Sequence, residues 1–283
     1  MTGEEFWRRL AQDHHYETER RKPSLVSRCL NVSPALRYHL LSVLATVKGG
    51  IKARRGKYDQ DAFADSSYSI LRAVEKAGGT VEISGLEHVA GTAGPAVIVA
   101  NHMSALETYM LPAILLRFRP IVFVVKKSLL DYPFLGTILR SMPTIAVTRE
   151  NPREDFRQVL EQGTATLAQG VSVLVFPQST RSARFDPSAF NSLGVKLAAR
   201  GGVPLIPAAL RTDFLVNGKW LKDFGPVFPD RTVHYRFGPA MRIEGNGKAQ
   251  HQAAVDFIVR NLRDWGGSIE EGGATEGRVG ESV

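Results

Sequence analysis

A chain of 283 residues with 43% hydrophobic and 23% charged residues can bury one large core, which excludes a disordered chain and one embedded throughout in a membrane. Its formal net charge of +8 calls for an anionic partner: nucleic acid, acidic lipid headgroups or a phosphorylated substrate. The single cysteine, Cys29, forbids an intrachain disulfide and reads as a small near-core residue.

Residues 4–22 are highly charged and lack the early apolar run and small-residue cleavage site of a signal peptide. No window reaches the roughly 18 apolar residues needed to span a bilayer. Ala35–Val47 carries Arg37 and His39, and Tyr109–Val125 is broken by Pro112, Arg117, Arg119 and Pro120. The chain is therefore expected to lie on a membrane, at its cytoplasmic face, without crossing it. Residues 1–62 read as a basic helical region, with Arg20-Arg21-Lys22 before and Lys52, Arg54, Arg55 and Lys57 after the apolar stretch around Leu40. An amphipathic helix flanked by cations suits the interface of an anionic bilayer. The same stretch equally suits a helix packed on the next domain with a solvated charged face.

From about residue 80 strand and helix patterns alternate. Short β-branched runs predict strands over 80–83, 96–100, 121–125, 144–147, 171–176, 203–210 and 233–237. Helical patterns fall over 105–116, 134–141, 152–169, 192–200 and 253–265. Asn151-Pro152-Arg153-Glu154 is a helix start with Asn as N-cap and Pro in the first turn, and Gly201-Gly202 is a C-cap signal. The alternation predicts an α/β fold, a mostly parallel central sheet flanked by helices, with ligand sites at the carboxyl ends of the strands. One domain would span 63–265, followed by a Gly-rich disordered tail, 266–283.

The segment Ala100-Asn101-His102-Met103-Ser104-Ala105-Leu106-Glu107 ends a strand and sets His102 and Glu107 at i and i+5. On one continuous helix they would stand roughly 140° apart and not meet. With His102 in the strand-to-helix turn and Glu107 in the first helical turns, the carboxylate can take the Nδ1 proton and leave Nε2 as a base. The pair alone also fits a structural role. No Gly-x-Ser-x-Gly elbow is present, Gly218-Lys219 and Gly247-Lys248 lack the rest of a P-loop, and no Cys/His cluster has zinc spacing. A base with no protein nucleophile points to a nucleophile on the substrate, a hydroxyl attacking an activated acyl group.

Four blocks in order resemble the motifs of the 1-acyl-sn-glycerol-3-phosphate acyltransferases and wider glycerolipid acyltransferases. Asn101-His102 with Glu107 is similar to the first, His-x4-Asp. The second is resembled by Val125 to Leu130 with Pro133-Phe134-Leu135-Gly136 and Arg140, closing on Ile145-Ala146-Val147-Thr148-Arg149. Phe176-Pro177-Gln178-Ser179-Thr180-Arg181-Ser182 is similar to the third, Phe-Pro-Glu-Gly-Thr-Arg-Ser, and Val203-Pro204-Leu205-Ile206-Pro207-Ala208 to the fourth.

The resemblance, over about residues 80–245, implies acyl transfer from an acyl thioester to a lysophospholipid hydroxyl. The leading acceptor is 1-acyl-sn-glycerol-3-phosphate, the donor acyl-CoA or an acyl carrier protein, and no metal or other cofactor is expected. It makes His102 the general base and Glu107 its orienting carboxylate. Arg149 and Arg181 would hold the acceptor phosphate, with Gln178, Ser179 and Thr180 beside it. Lys126 and Lys127 would add positive potential or form a solvated cationic face. Val203, Pro204, Ile206 and Pro207 would line an acyl site while serving as a core strand. Three residues depart from the motifs: Glu107 for Asp, Gln178 for Glu and Ser179 for Gly. They leave room for another lipid acceptor, or for a membrane-surface lipid-binding protein without activity. Nucleic-acid binding rests on charge alone and lacks a recognition motif.

Overall fold

The computed structural model describes residues 1–19, 33–178 and 180–270. Arg20-Arg21-Lys22, Cys29, Ser179 and the tail from residue 271 lie outside the described residues.

The chain opens with α1 (Gly3–Asp13) and β1 (Tyr16–Glu17), followed by the long helices α2 (Pro34–Arg54) and α3 (Gln60–Lys76). Then come β2 (Val81–Ser84), α4 (Leu86–Ala90), β3 (Val97–Ala100), α5 (Ala105–Leu115) and β4 (Ile121–Lys126). A 3-10 turn (Lys127–Asp131) leads to α6 (Leu135–Ser141), β5 (Thr144–Val147), α7 (Pro152–Ala168) and β6 (Ser172–Val175). The chain continues through β7 (Arg184–Phe185), α8 (Leu193–Gly201), β8 (Leu205–Arg211), β9 (Val233–Phe237), α9 (Lys248–Asp264) and β10 (Ser268–Ile269).

Eight strands form one sheet in the order β1-β2-β9-β8-β3-β6-β4-β5. The block β8-β3-β6-β4-β5 is parallel throughout, and β9 turns antiparallel against β8. Strands buried on both faces read as continuous apolar runs, which is why Val97–Ala100 and Ser172–Val175 are fully buried. Ile98, Ala100 and Leu174 point into a core shared with α3 and α5. Val97, Val99, Val173 and Val175 point into a second core, with side chains of α7, α8 and α9. The mostly parallel sheet between helical layers is the predicted architecture.

Two boundaries differ from expectation. Residues 1–62 are not a separate appendage: Phe6, Leu10 and Tyr16 join the main core, and β1 extends the sheet edge through its pairing with β2. At the other end, Ser268–Ile269 pairs with Arg184–Phe185, so ordered chain continues past residue 266.

Helix α2 also differs from the amphipathic helix expected there. Tyr38, Ala45, Gly49 and Ala53 are buried against the body, while Leu36, Leu40, Val43, Leu44 and Ile51 stand exposed on the opposite side. A helix with apolar side chains on two opposite faces has two apolar environments to fill, and the body of the protein fills one. No described helix is long and apolar enough to cross a membrane.

Candidate active site

The site begins with a helix start. Ser104 is the N-cap of α5 and Glu107 its third residue, and the two form a reciprocal capping box. Glu107 therefore reaches back over the turn that follows β3, where His102 sits. One carboxylate oxygen, Oε1, accepts the backbone N–H groups of Met103 at 2.9 Å and Ser104 at 2.8 Å, together with the Thr212 hydroxyl. The other, Oε2, lies 2.7 Å from His102 Nδ1. Capping and histidine orientation are thus one carboxylate's work, and the i to i+5 spacing follows from a cap at Ser104. The longer Glu suits this reach.

Glu107 is fully buried and His102 only 5% exposed. A carboxylate removed from water is tolerated when donors surround it, and here four converge on two oxygens. Because the carboxylate can only accept from Nδ1–H, the imidazole carries its lone pair on Nε2. No described residue bonds Nε2.

Three further contacts fix the turn. Gln178 Oε1 accepts the His102 backbone N–H at 2.7 Å, and the Ser182 N–H donates to the His102 carbonyl at 3.0 Å. Phe176 stacks on the imidazole with ring centroids 4.2 Å apart. Asn101 next door acts as a strand extension: its side chain donates to Leu210 O at 2.7 Å and accepts from Leu210 N at 2.8 Å, clamping β3 to β8.

The predicted arginines, lysines and Thr180 follow strands at the same carboxyl edge, where neighbouring strands stand ~4.8 Å apart. Arg149 follows β5, and Thr180 and Arg181 follow β6. Arg149 is held at φ +64, a left-handed conformation that is costly outside glycine. Asp155, in the first turn of α7, accepts the N–H groups of Thr148 at 2.9 Å and Arg149 at 2.7 Å and so pins it. Arg149 is an exposed residue whose guanidinium is partly shielded from water; that shielding, and next the charge of neighbouring Arg181, pull it below its ordinary value. Arg181 is paired with Asp223 at 2.6 Å, whereas Arg149 makes no ion pair among the described residues. Two guanidiniums close enough for one to act on the other, beside a single carboxylate, can seat an anion. Lys126 and Lys127 are exposed at the end of β4, on the rim.

The fourth block does not reach this edge. Val203 and Pro204 precede β8 at its amino end, and Leu205 pairs with Val97 while Ala208 pairs with Ala100. Ile206 is fully buried in the core, and Pro207 lies mid-strand. The run is a core strand and its start lies at the far end of the sheet from His102. A mostly apolar cavity of about 250 Å³ reaches the site through Asp223, the ion-pair partner of Arg181, and none of the predicted site residues lines it. Its lining includes Tyr38 and Val43 of α2, Tyr109 of α5, Phe134, Asp223 and Phe224. Burial, then nearby Asp223, pushes the Tyr109 hydroxyl well above its ordinary value. A larger cavity, about 570 Å³, sits by β1 and β2 and contains none of the site residues.

Thr212, Asn217 and Asp223 were not legible as site residues. The signal available for Thr212 was its place directly after β8, since side chains at the carboxyl ends of parallel strands share one edge.

The site is thus a buried His–carboxylate pair at one strand end of a parallel sheet, with arginines on two other turns of the same edge. Residues 80–211 match the family model described as Acyltransferase. Curated proteins similar to this chain are named 1-acyl-sn-glycerol-3-phosphate acyltransferases. The protein of that name from Pseudomonas aeruginosa is 34% identical over 171 residues, covering 60% of this chain and 63% of the relative. The chloroplastic one from Arabidopsis thaliana is 31% identical over 130 residues, covering 46% of this chain and 35% of the relative. The chain thus spans less than two thirds of these relatives. The crystal structure of the 1-acyl-sn-glycerophosphate acyltransferase PlsC from Thermotoga maritima shares the fold. Its TM-score is 0.62 at 18% identity, over 84% of this chain and 97% of that one.

Proposed function

We propose that this protein transfers a fatty acyl group from an acyl thioester to the free hydroxyl of 1-acyl-sn-glycerol-3-phosphate, giving phosphatidic acid. The observation that carries the reading is the buried His102–Glu107 pair at the carboxyl edge of the sheet, with Arg149 and Arg181 on turns of the same edge. The named activity of the relatives supports the same acceptor.

His102 Nε2 takes the proton of the acceptor hydroxyl as its oxygen attacks the thioester carbonyl. Glu107 orients the imidazole and balances the charge it gains. The tetrahedral intermediate collapses, the C–S bond breaks, and the imidazolium returns the proton to the leaving thiolate. The products are an ester and a free thiol, and no acyl-enzyme forms. Arg149 and Arg181 hold the phosphate, which fixes the hydroxyl relative to His102. The 250 Å³ cavity between α2 and α5 receives acyl chain, a role supported by Asp223, which lines it and pairs with Arg181. The exposed apolar face of α2 rests on the bilayer that holds the substrates.

The test is a panel of lysolipid acceptors with labelled acyl-CoA and acyl carrier protein donors, with identification of the lipid product. Phosphatidic acid is expected, and His102→Ala should lower turnover by roughly two to four orders of magnitude. Turnover unchanged in that variant would remove the assigned base.

A further inference from the structure

Between β8 and β9 the chain makes a hairpin unrelated to any of the four motifs. Leu215 bridges Val227, Val216 N–H donates to Pro226 O at 3.0 Å, and Gly218 N–H donates to Lys222 O at 3.1 Å to close the tip. The two arms lie so close that a Cβ on Gly225 would stand 1.7 Å from the Val216 carbonyl oxygen. The base is buried through Phe214 and Leu215, so the hairpin stands on the core. Its tip is the reverse: Trp220 is 97% exposed and Leu221 66%, between the exposed Lys219 and Lys222.

Three bonds tie this hairpin to the working parts. Asn217 donates to Met103 O at 3.2 Å, beside His102. Asp223 pairs with Arg181 at 2.6 Å. Gly225 O lies 2.9 Å from His39 Nε2 of α2, and the His39 ring contacts Phe224 with centroids 5.4 Å apart. The exposed tip is thereby continuous, through Phe224, with the exposed apolar side of α2.

We propose that the hairpin is a membrane wedge, with Trp220 and Leu221 inserted into an anionic bilayer beside the active site. This rests on the lipid acyl-transfer reading for its purpose, though not for its test. A Trp–Leu pair between lysines is the composition of an interfacial anchor: the apolar pair enters the acyl boundary while the ammonium groups meet lipid phosphates. The geometry fits the depth of that boundary. Asp223 is three residues from Trp220, at most about 10 Å of extended chain. A tip buried roughly 5–10 Å places Asp223 and Arg181 at the headgroups. There a lipid phosphate can replace the Asp223 carboxylate on Arg181. The hairpin therefore sets the height of the anion seat above the bilayer.

The experiment uses the full chain with vesicles of phosphatidylglycerol and phosphatidylcholine, with and without brominated acyl chains. Tryptophan emission should be quenched by the brominated lipid, and the quenching should vanish in Trp220→Phe while vesicle binding persists. Trp7 donates to Ala113 O and Trp265 stacks on His234, so neither reports on the hairpin. The double variant Trp220→Ser, Leu221→Ser should bind the vesicles at least about tenfold more weakly with an unchanged circular dichroism spectrum. Quenching that survives in Trp220→Phe, or full affinity in the double variant, overturns the proposal. So does a blue shift of Trp220 that grows with protein concentration in the absence of vesicles, since the tip would then be covered by a second copy. No readout involves acyl transfer, so the wedge and the activity stand or fall separately.

Discussion

The side-chain oxygen of Gln178 accepts the backbone N–H of His102 at 2.7 Å, joining the turn after β3 to the turn after β6. The family motif carries Glu at this position, and the bond explains why an amide serves: the role is to accept one N–H. Both groups are buried, so removing the acceptor leaves an unsatisfied donor, at a cost of about 1–3 kcal/mol. Gln178→Ala is expected to lower both the melting temperature and kcat, whereas Gln178→Glu keeps both close to the parent. Thermal melts and turnover measured on the two variants check this, and an Ala variant with parental kcat removes Gln178 from the positioning of His102.

Thr212 shares Oε1 of Glu107 with two backbone N–H groups. It acts on the reaction only through Glu107, as a positioning residue. Thr212→Val keeps the shape and deletes the hydroxyl donor. The expected result is a kcat lower by about tenfold, the scale of one hydrogen bond to a charged group, with KM for the acceptor unchanged. Thr212→Ser restores the donor and should recover most of the loss. A rise in KM instead, or no rescue by Ser, counts against the assignment.

The parallel sheet was readable because each strand is buried on both faces and carries its own apolar run, as Val97–Ala100 does. His102 and Glu107 were readable as a pair because cap geometry links them within six residues. The residues that complete the site come from the hairpin after β8, more than 100 positions from His102, and no local pattern connects Thr212 or Asp223 to it. The acyl site read into Val203–Pro207 has a related cause: an apolar run says that a strand is buried, not which end of it lies beside His102. The pattern also left out α1 and β1, whose short, charged sequences hide a few core anchors, Phe6, Leu10 and Tyr16.

Arg149 and Arg181 are expected to govern acceptor binding. Each charge-assisted contact to a phosphate contributes about 1.5–3 kcal/mol, so Arg149→Ala or Arg181→Ala should raise KM for lysophosphatidate roughly 10- to 100-fold. Lysine at either position keeps the charge and loses the planar fork, so it should recover only part of the affinity. An uncharged monoacylglycerol acceptor is the control: its KM should not respond to either substitution. Equal losses for charged and uncharged acceptors would show that the arginines support the fold and do not hold phosphate.

The last prediction separates packing from chemistry within the same strand. Gly194, in the first turn of α8, faces β3 so closely that a Cβ there would stand 2.1 Å from Val99 Cγ1 and 3.3 Å from Val175 Cγ2. Val99 is three residues before His102, and both valines are buried in the core beneath α8. Gly194→Ala overpacks this contact and is expected to cost about 1–3 kcal/mol. For a domain of this size that is a melting-temperature drop of roughly 2–4 °C per kcal/mol. Asn101 clamps the end of β3 to β8 through two hydrogen bonds, which isolates His102 from a displacement at Val99. Below the melting transition the variant should therefore keep parental kcat. Adding Val99→Ala opens the space that the new methyl needs. The double variant should lose less stability than the two single losses added together, a coupling that a double-mutant cycle of thermal melts measures directly. Strict additivity would mean that the close approach of α8 to β3 is not the contact under strain.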